Sequence, residues 1–147
     1  MRARIPGPAV IQEFLPGAEF AVSLWGKVKP DYVSIGETTF REGLRLIPYA
    51  AKWDTASPDF ANSPLSYGSN IDPGLRDVIV AMARDAWRAV GARGCLREDV
   101  RLDAEGNPKV LDVNPNPETG PDVGIYRALV EAGWTWKRFV EAQIAWA

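Results

Sequence analysis

Apolar and polar positions alternate most regularly between Gly94 and Glu118 (GCLREDVRLDAEGNPKVLDVNPNPE). Two runs rich in Val and Leu flank Ala104-Glu105-Gly106-Asn107, a cluster that turns favour. The stretch therefore reads as a β-hairpin with a loop of about four residues. With Asp103 facing Pro108, Arg101 pairs with Val110, Asp99 with Asp112 and Arg97 with Asn114. Successive side chains point to opposite faces of a strand. Leu96, Val100, Leu102, Leu111 and Val113 then share the core face, and Arg97, Asp99, Asp112 and Asn114 share the other. Glu98 falls on the core side, where an unpaired carboxylate is costly, so a partner or a wetter face is expected there.

The same reading extends along the chain. Val10 to Leu15 forms a short strand closed by Pro16-Gly17, and Glu19 to Lys27 a second, with Phe20, Val22 and Leu24 on one face. Val33 to Phe40 is a third strand, while Arg41 to Pro48 carries no clear period. Tyr49-Ala50-Ala51-Lys52-Trp53 precedes a polar loop from Asp54 to about Asp72, a length uncommon outside functional or mobile segments. Asp72-Pro73 is a helix start, with Asp as cap and Pro at the first helical position. Leu75, Val78, Ile79, Met82, Ala83, Ala86 and Val90 follow as its core stripe, and Gly91 stops it. Beyond the hairpin, Pro121 to Ala132 forms a helix ended by Gly133. Thr135 caps a last helix whose stripe is Trp136, Phe139, Val140 and Ile144. Strands and helices in separate runs imply an α+β fold, with helices packed on one face of a largely antiparallel sheet. No repeat, low-complexity tract or linker divides the chain, so residues 1–147 are taken as one unit.

Composition narrows the function. The chain has 147 residues, 46% of them apolar and 24% charged, ordinary values for a globular protein with a real core. A net charge of −2 argues against a nucleic-acid binder dominated by phosphate contacts. No histidine is present, which removes His-based triads and His zinc sites. The single cysteine, Cys95, excludes an intrachain disulfide and fits a reducing compartment, so a cytoplasmic location is expected. Its place inside a strand suits a buried structural thiol better than a nucleophile. No run approaches the ~20 apolar residues of a membrane span. Met1-Arg2-Ala3-Arg4 is basic, but no apolar signal-peptide core follows.

The hairpin register brings two carboxylates, Asp99 and Asp112, directly opposite each other. Like charges so placed destabilise a sheet, so such a pair ordinarily holds a cation or shares a proton. Two acids and the amide oxygen of Asn114 suit a hard cation such as Mg²⁺. The plain alternative is a solvated face on which Arg97 and Arg101 neutralise the acids. The following Asn114-Pro115-Asn116-Pro117-Glu118 favours chemistry, because neither proline can donate to a ladder. The chain must leave the sheet just after Asn114, and strand ends feeding loops commonly carry sites.

Arg97-x-Asp99, a turn, then Asp112-x-Asn114-x-x-Pro117 resembles the metal-binding hairpin of the ATP-grasp superfamily, and within it that of the D-alanine–D-alanine ligases. The resemblance implies ATP-dependent joining of a carboxylate to an amine through an acyl-phosphate. Asp99, Asp112 and Asn114 would then hold Mg²⁺ (or Mn²⁺) on the ATP phosphates, and Arg97 would stabilise the reacting oxygens. VIQEFLPGAEF resembles the adenine-side segment of the family. It implies backbone contacts from Glu13, Phe14 and Leu15 to the base, and Glu19 on the ribose hydroxyls. The loop after Tyr49 resembles the segment that closes over the site, with Lys52 on phosphate and Trp53 where the ligases usually carry Tyr.

On this reading the whole chain is the C-terminal portion of an ATP-grasp, D-alanine–D-alanine ligase-like domain. The implied partners are small carboxylate and amine substrates such as an amino acid or peptide, with no nucleic acid and no membrane. Self-association or a partner chain is expected to supply the other half of the site. Pro117-Glu118-Thr119-Gly120 departs from the Pro-Gly-Met-Thr of D-alanine ligases, so another carboxylate–amine ligation is a close alternative. A second class is a non-catalytic module that binds nucleotide or cation, or that serves as an interaction domain.

Overall fold

The computed structural model describes residues 10–120 and 124–147. Five antiparallel strands form one sheet: β1 (Glu19–Gly26), β2 (Tyr32–Thr38), β3 (Leu65–Tyr67), β4 (Gly94–Leu102) and β5 (Pro108–Asn114). Their spatial order is β3-β2-β1-β4-β5, so β1 is central and the β4–β5 hairpin makes one edge. Every residue of β1 is buried, as suits a central strand paired on both sides.

Two helical layers account for that burial. Helix α3 (Pro73–Ala89) begins as its sequence dictates, with the Asp72 carboxylate accepting from the Leu75 N–H at 2.9 Å and Pro73 at the first helical position. It ends at Gly91, whose φ of +62° a residue with a Cβ adopts only under strain. Ile79, Ala83 and Trp87 of α3 pack on Phe20, Val22, Leu24, Leu96 and Val100. The alternate β1 residue Trp25 faces the other way. It meets Ile125, Ala128 and Leu129 of α4 (Gly124–Glu131), Trp134, and Phe139 of α5 (Trp136–Trp146). The fold is thus α+β on an antiparallel sheet, with its helices divided between the two faces rather than sharing one.

Other departures have local causes. Residues 10–18 form no strand, although Gly17 and Ala18 exchange backbone hydrogen bonds with Leu102. The short helix α1 (Tyr49–Trp53) precedes the long loop, which is itself broken by the short helix α2 (Pro58–Ala61) and by β3, which pairs with β2. On α3 the buried stripe includes Trp87, whose indole N–H donates to the Val28 carbonyl, while Val78 and Val90 are exposed. On α5 only Phe139 of the expected stripe is buried. The expected start of α4 at Pro121, and the basic N-terminal residues, lie outside the described residues.

The β4–β5 hairpin keeps its expected pairs Arg97–Asn114 and Asp99–Asp112, but its register then shifts between Asp99 and Val100. Val110 pairs with Val100, Lys109 with Arg101 and Pro108 with Leu102, instead of the expected Arg101–Val110 and Asp103–Pro108. One residue of β5 is therefore extra, a β-bulge. Leu111, expected in the core, is left 43% exposed.

Candidate functional site

The face of the sheet that α4 and α5 cover at one end is open at the other, and there it forms the floor of a cleft of about 530 Å³. β4 and β5 supply Arg97, Asp99, Asp112 and Asn114, each on the face opposite Leu96 and Glu98, as alternation requires. β1 and β2 add Glu19, Ala21 and Thr38, and α1 adds Ala51, Lys52 and Trp53. Six residues picked out in the sequence therefore meet in one cavity: Glu19, Lys52, Arg97, Asp99, Asp112 and Asn114. Glu13, Phe14 and Leu15 do not line it.

Arg97 and Asp99 form a bidentate ion pair, Nε to Oδ1 at 2.8 Å and Nη2 to Oδ2 at 3.1 Å. Both side chains are partly open to water, at 36% and 25% exposure. Arg97 thus offsets the repulsion between Asp99 and Asp112 that their pairing creates. Asn114 Oδ1 accepts from the Asn116 N–H at 2.9 Å and starts the turn that takes the chain off the sheet. Among the described residues no three His, Cys, Asp or Glu side chains converge as a metal site. The donors present are two carboxylates and an amide oxygen. They suit Mg²⁺, which keeps water and takes substrate phosphate oxygens to complete its shell.

Glu19 is not the exposed strand start of an ordinary hairpin. It is buried, directly across the β1–β4 ladder from Arg101, and its Oε2 accepts from Arg101 Nη1 at 2.9 Å. Desolvation nevertheless raises the Glu19 pKa, the Arg101 charge offsetting part of that shift. Arg101 also donates through Nη2 to the Arg45 carbonyl and lies over the rings of Phe14 and Phe40, at 5.0 and 5.2 Å from their centroids. Phe14 takes its place in the protein through this stacking. Burial pushes the Cys95 thiol up, away from nucleophilic use.

Phe60, which lines the cleft, was not marked by the sequence. It shares the lining with Trp53, which is 70% exposed. Arg101 reads in the hairpin as one more strand cation, because its partner Glu19 lies 82 positions away. No local signal announces such a pair.

Comparison with known proteins points the same way. The family model of the D-ala D-ala ligase C-terminus matches residues 4–145. A D-alanine–D-alanine ligase of Synechococcus sp. (strain JA-3-3Ab) is 39% identical over 147 residues, an alignment covering 91% of this chain and 39% of that protein. An uncharacterised protein, y4sG, of Sinorhizobium fredii is 28% identical over 133 residues, covering 90% of this chain and 38% of its own. D-alanyl-alanine synthetase A from Vibrio cholerae superposes with a TM-score of 0.70 at 21% identity, over 89% of this chain and 38% of that one. The D-alanine–D-alanine ligase from Bacillus anthracis complexed with ATP does so at 0.68 and 14% identity, over 90% and 38%. At these identities the two structures speak for the fold. The chain spans about two-fifths or less of the length of these relatives.

Proposed function

The chain belongs to the D-ala D-ala ligase C-terminus family, and on that premise we propose that it is the ATP- and Mg²⁺-binding part of a carboxylate–amine ligase. The substrates are of amino-acid or peptide size. In such a reaction a carboxylate oxygen of one substrate attacks the γ-phosphorus of ATP and ADP leaves. The amine of the second substrate then attacks the acyl carbon, forming the amide as phosphate departs. One observation carries the proposal: the two facing carboxylates, the amide oxygen, Arg97, Lys52 and Glu19 line a single cleft although they come from four separate stretches of chain.

Asp99, Asp112 and Asn114 would hold Mg²⁺ through hard oxygen donors. When bound, the ion neutralises charge on the phosphates. Lys52, on α1 at the cleft wall, supplies a point charge for the phosphate oxygens. The planar fork of Arg97 suits carboxylate and phosphate oxygens, so Arg97 can pass from Asp99 to the reacting oxygens of the substrate. Glu19 presents an acceptor to the ribose hydroxyls.

The test is thermal. Mg²⁺ with ATP at about 10 times Kd should add roughly 1.4 kcal/mol of stability and raise Tm by a few degrees. Asp112→Asn removes one of two opposed charges, so the ligand-free variant should be as stable as the parent or slightly more so. Its response to Mg²⁺·ATP should be much reduced. A variant that responds as fully as the parent would show that Asp112 holds no metal.

A further inference from the structure

We infer that Arg101 is a positioning residue for nucleotide recognition, holding Glu19 in place in the cleft lining and anchoring the Phe14 segment behind it. This rests on the function proposed above and adds a residue to its machinery. Arg101 is 5% exposed, yet it makes none of the contacts expected of a cation on the hairpin face. Its fork is divided instead between two other stretches of chain. Nη1 reaches Glu19 Oε2 on β1, and Nη2 reaches the Arg45 carbonyl in the segment between β2 and α1. Its guanidinium carbon lies over the rings of both Phe14 and Phe40. Nε is buried without a hydrogen-bond partner among the described residues. Burying a guanidinium is costly and its pairing with Glu19 repays that only in part, so stability alone is a weak reason for the arrangement.

The arrangement does something specific to Glu19. A carboxylate at a strand end could swing among several rotamers, but Arg101 fixes Oε2, which leaves Oε1 without a donor among the described residues. Glu19 lines the cleft whereas Arg101 does not. Arg101 therefore acts on a ligand through Glu19, whose fixed oxygen can accept from a sugar hydroxyl. The stacking on Phe14 adds a second effect. Residues 10–16 have no ladder to hold them, and Phe14, 47% exposed, rests on Arg101 and Arg45. Loss of the guanidinium would release that segment and Glu19 together.

The experiment compares binding of ATP, 2′-deoxy-ATP and inorganic tripolyphosphate, each with Mg²⁺, to the parent, Glu19→Gln, Arg101→Met and Arg101→Lys. The parent should prefer ATP over 2′-deoxy-ATP by about tenfold, the usual worth of a hydrogen bond to a charged acceptor. Glu19→Gln should lose most of that preference, and so should Arg101→Met, although it leaves the carboxylate in place. Tripolyphosphate affinity should be unchanged in all. Arg101→Met leaves a buried carboxylate unpaired and can fail to fold. Arg101→Lys keeps the charge but loses the fork and the planar stack, and it should fold and still discriminate less than threefold. A folded Arg101→Lys that keeps the parent's full preference overturns the inference and leaves the proposed function standing. So does a parent that binds ATP and 2′-deoxy-ATP equally. A parent that binds neither nucleotide overturns the function and this role with it.

Discussion

The carboxyl group of Glu98 sits between Val22 of β1 and Val113 of β5, on the face that α3 covers, at 0% exposure. Neither oxygen has a hydrogen-bond partner among the described residues. Burial, and then the charge of Asp99, pushes its pKa from 4.5 up to about 7. Its alternation with Leu96 and Val100 made the inward orientation readable from sequence; the partner expected for it is not there. Below about pH 7 the group is therefore mostly neutral rather than ionised and paired. A raised carboxyl pKa means that the native state binds the proton more tightly than the unfolded chain. The stability this gives is fully present below pH 4.5, is lost as pH rises from 4.5 to 7, and does not return above 7. At ~1.4 kcal/mol per pKa unit the whole fall is about 3 kcal/mol. Glu98→Met, similar in length and apolar, should remove that slope and unfold at higher denaturant than the parent at pH 8. Denaturant midpoints at pH 5 and pH 8 check it. A variant with the parent's pH slope would mean that another group titrates in this range.

At the scale of elements, what could be read in the chain is what local rules control. β1, β2 and α3 follow from alternation, from the Asp72-Pro73 start and from the Gly91 stop, none of which needs a distant partner. α1, α2 and β3 are three to five residues long. Pieces so short have almost no intrinsic stability and exist because the sheet edge and the cleft hold them. The Val10–Leu15 run has the composition of a strand but no ladder, since Phe14 is engaged with Arg45 and Arg101. The convergence of Arg97, Asp99, Asp112 and Asn114 on one face was legible because all four fall within one hairpin. Their pairing survives because the bulge lies beyond them, toward the turn. That bulge separates two leucines which alternation alone puts together. Leu96 is fully buried and Leu111 is 43% exposed. Leu96→Ala should cost about 2–5 kcal/mol and Leu111→Ala less than about 1 kcal/mol. Urea unfolding of both variants measures the difference, and equal losses would show Leu111 packed inward in solution.

Across the whole molecule, sheet and helices build two cores on opposite faces and leave the cleft as the uncovered part of one of them. Water reaches its chemistry: Arg97 and Asp99 are partly exposed, and Trp53 and Tyr49 at the α1 rim are 70% and 80% exposed. Electrostatic stabilisation of a transferring phosphoryl group is large only where water is excluded, and partly exposed ion pairs are weak and screened by salt. On the proposed function, a cleft this open would bind Mg²⁺·ATP without accelerating its reaction. This chain by itself should bind Mg²⁺·ATP weakly, in the range of about 0.1–1 mM, with affinity falling several-fold between low and moderate salt. Phosphate release should not rise above background when amino acids or dipeptides are added. Calorimetric titration at about 50 and 300 mM salt, together with a phosphate-release assay, reads both parts. Tight, salt-insensitive binding with turnover would mean that α1 and α2 close over the cleft and dry it without help.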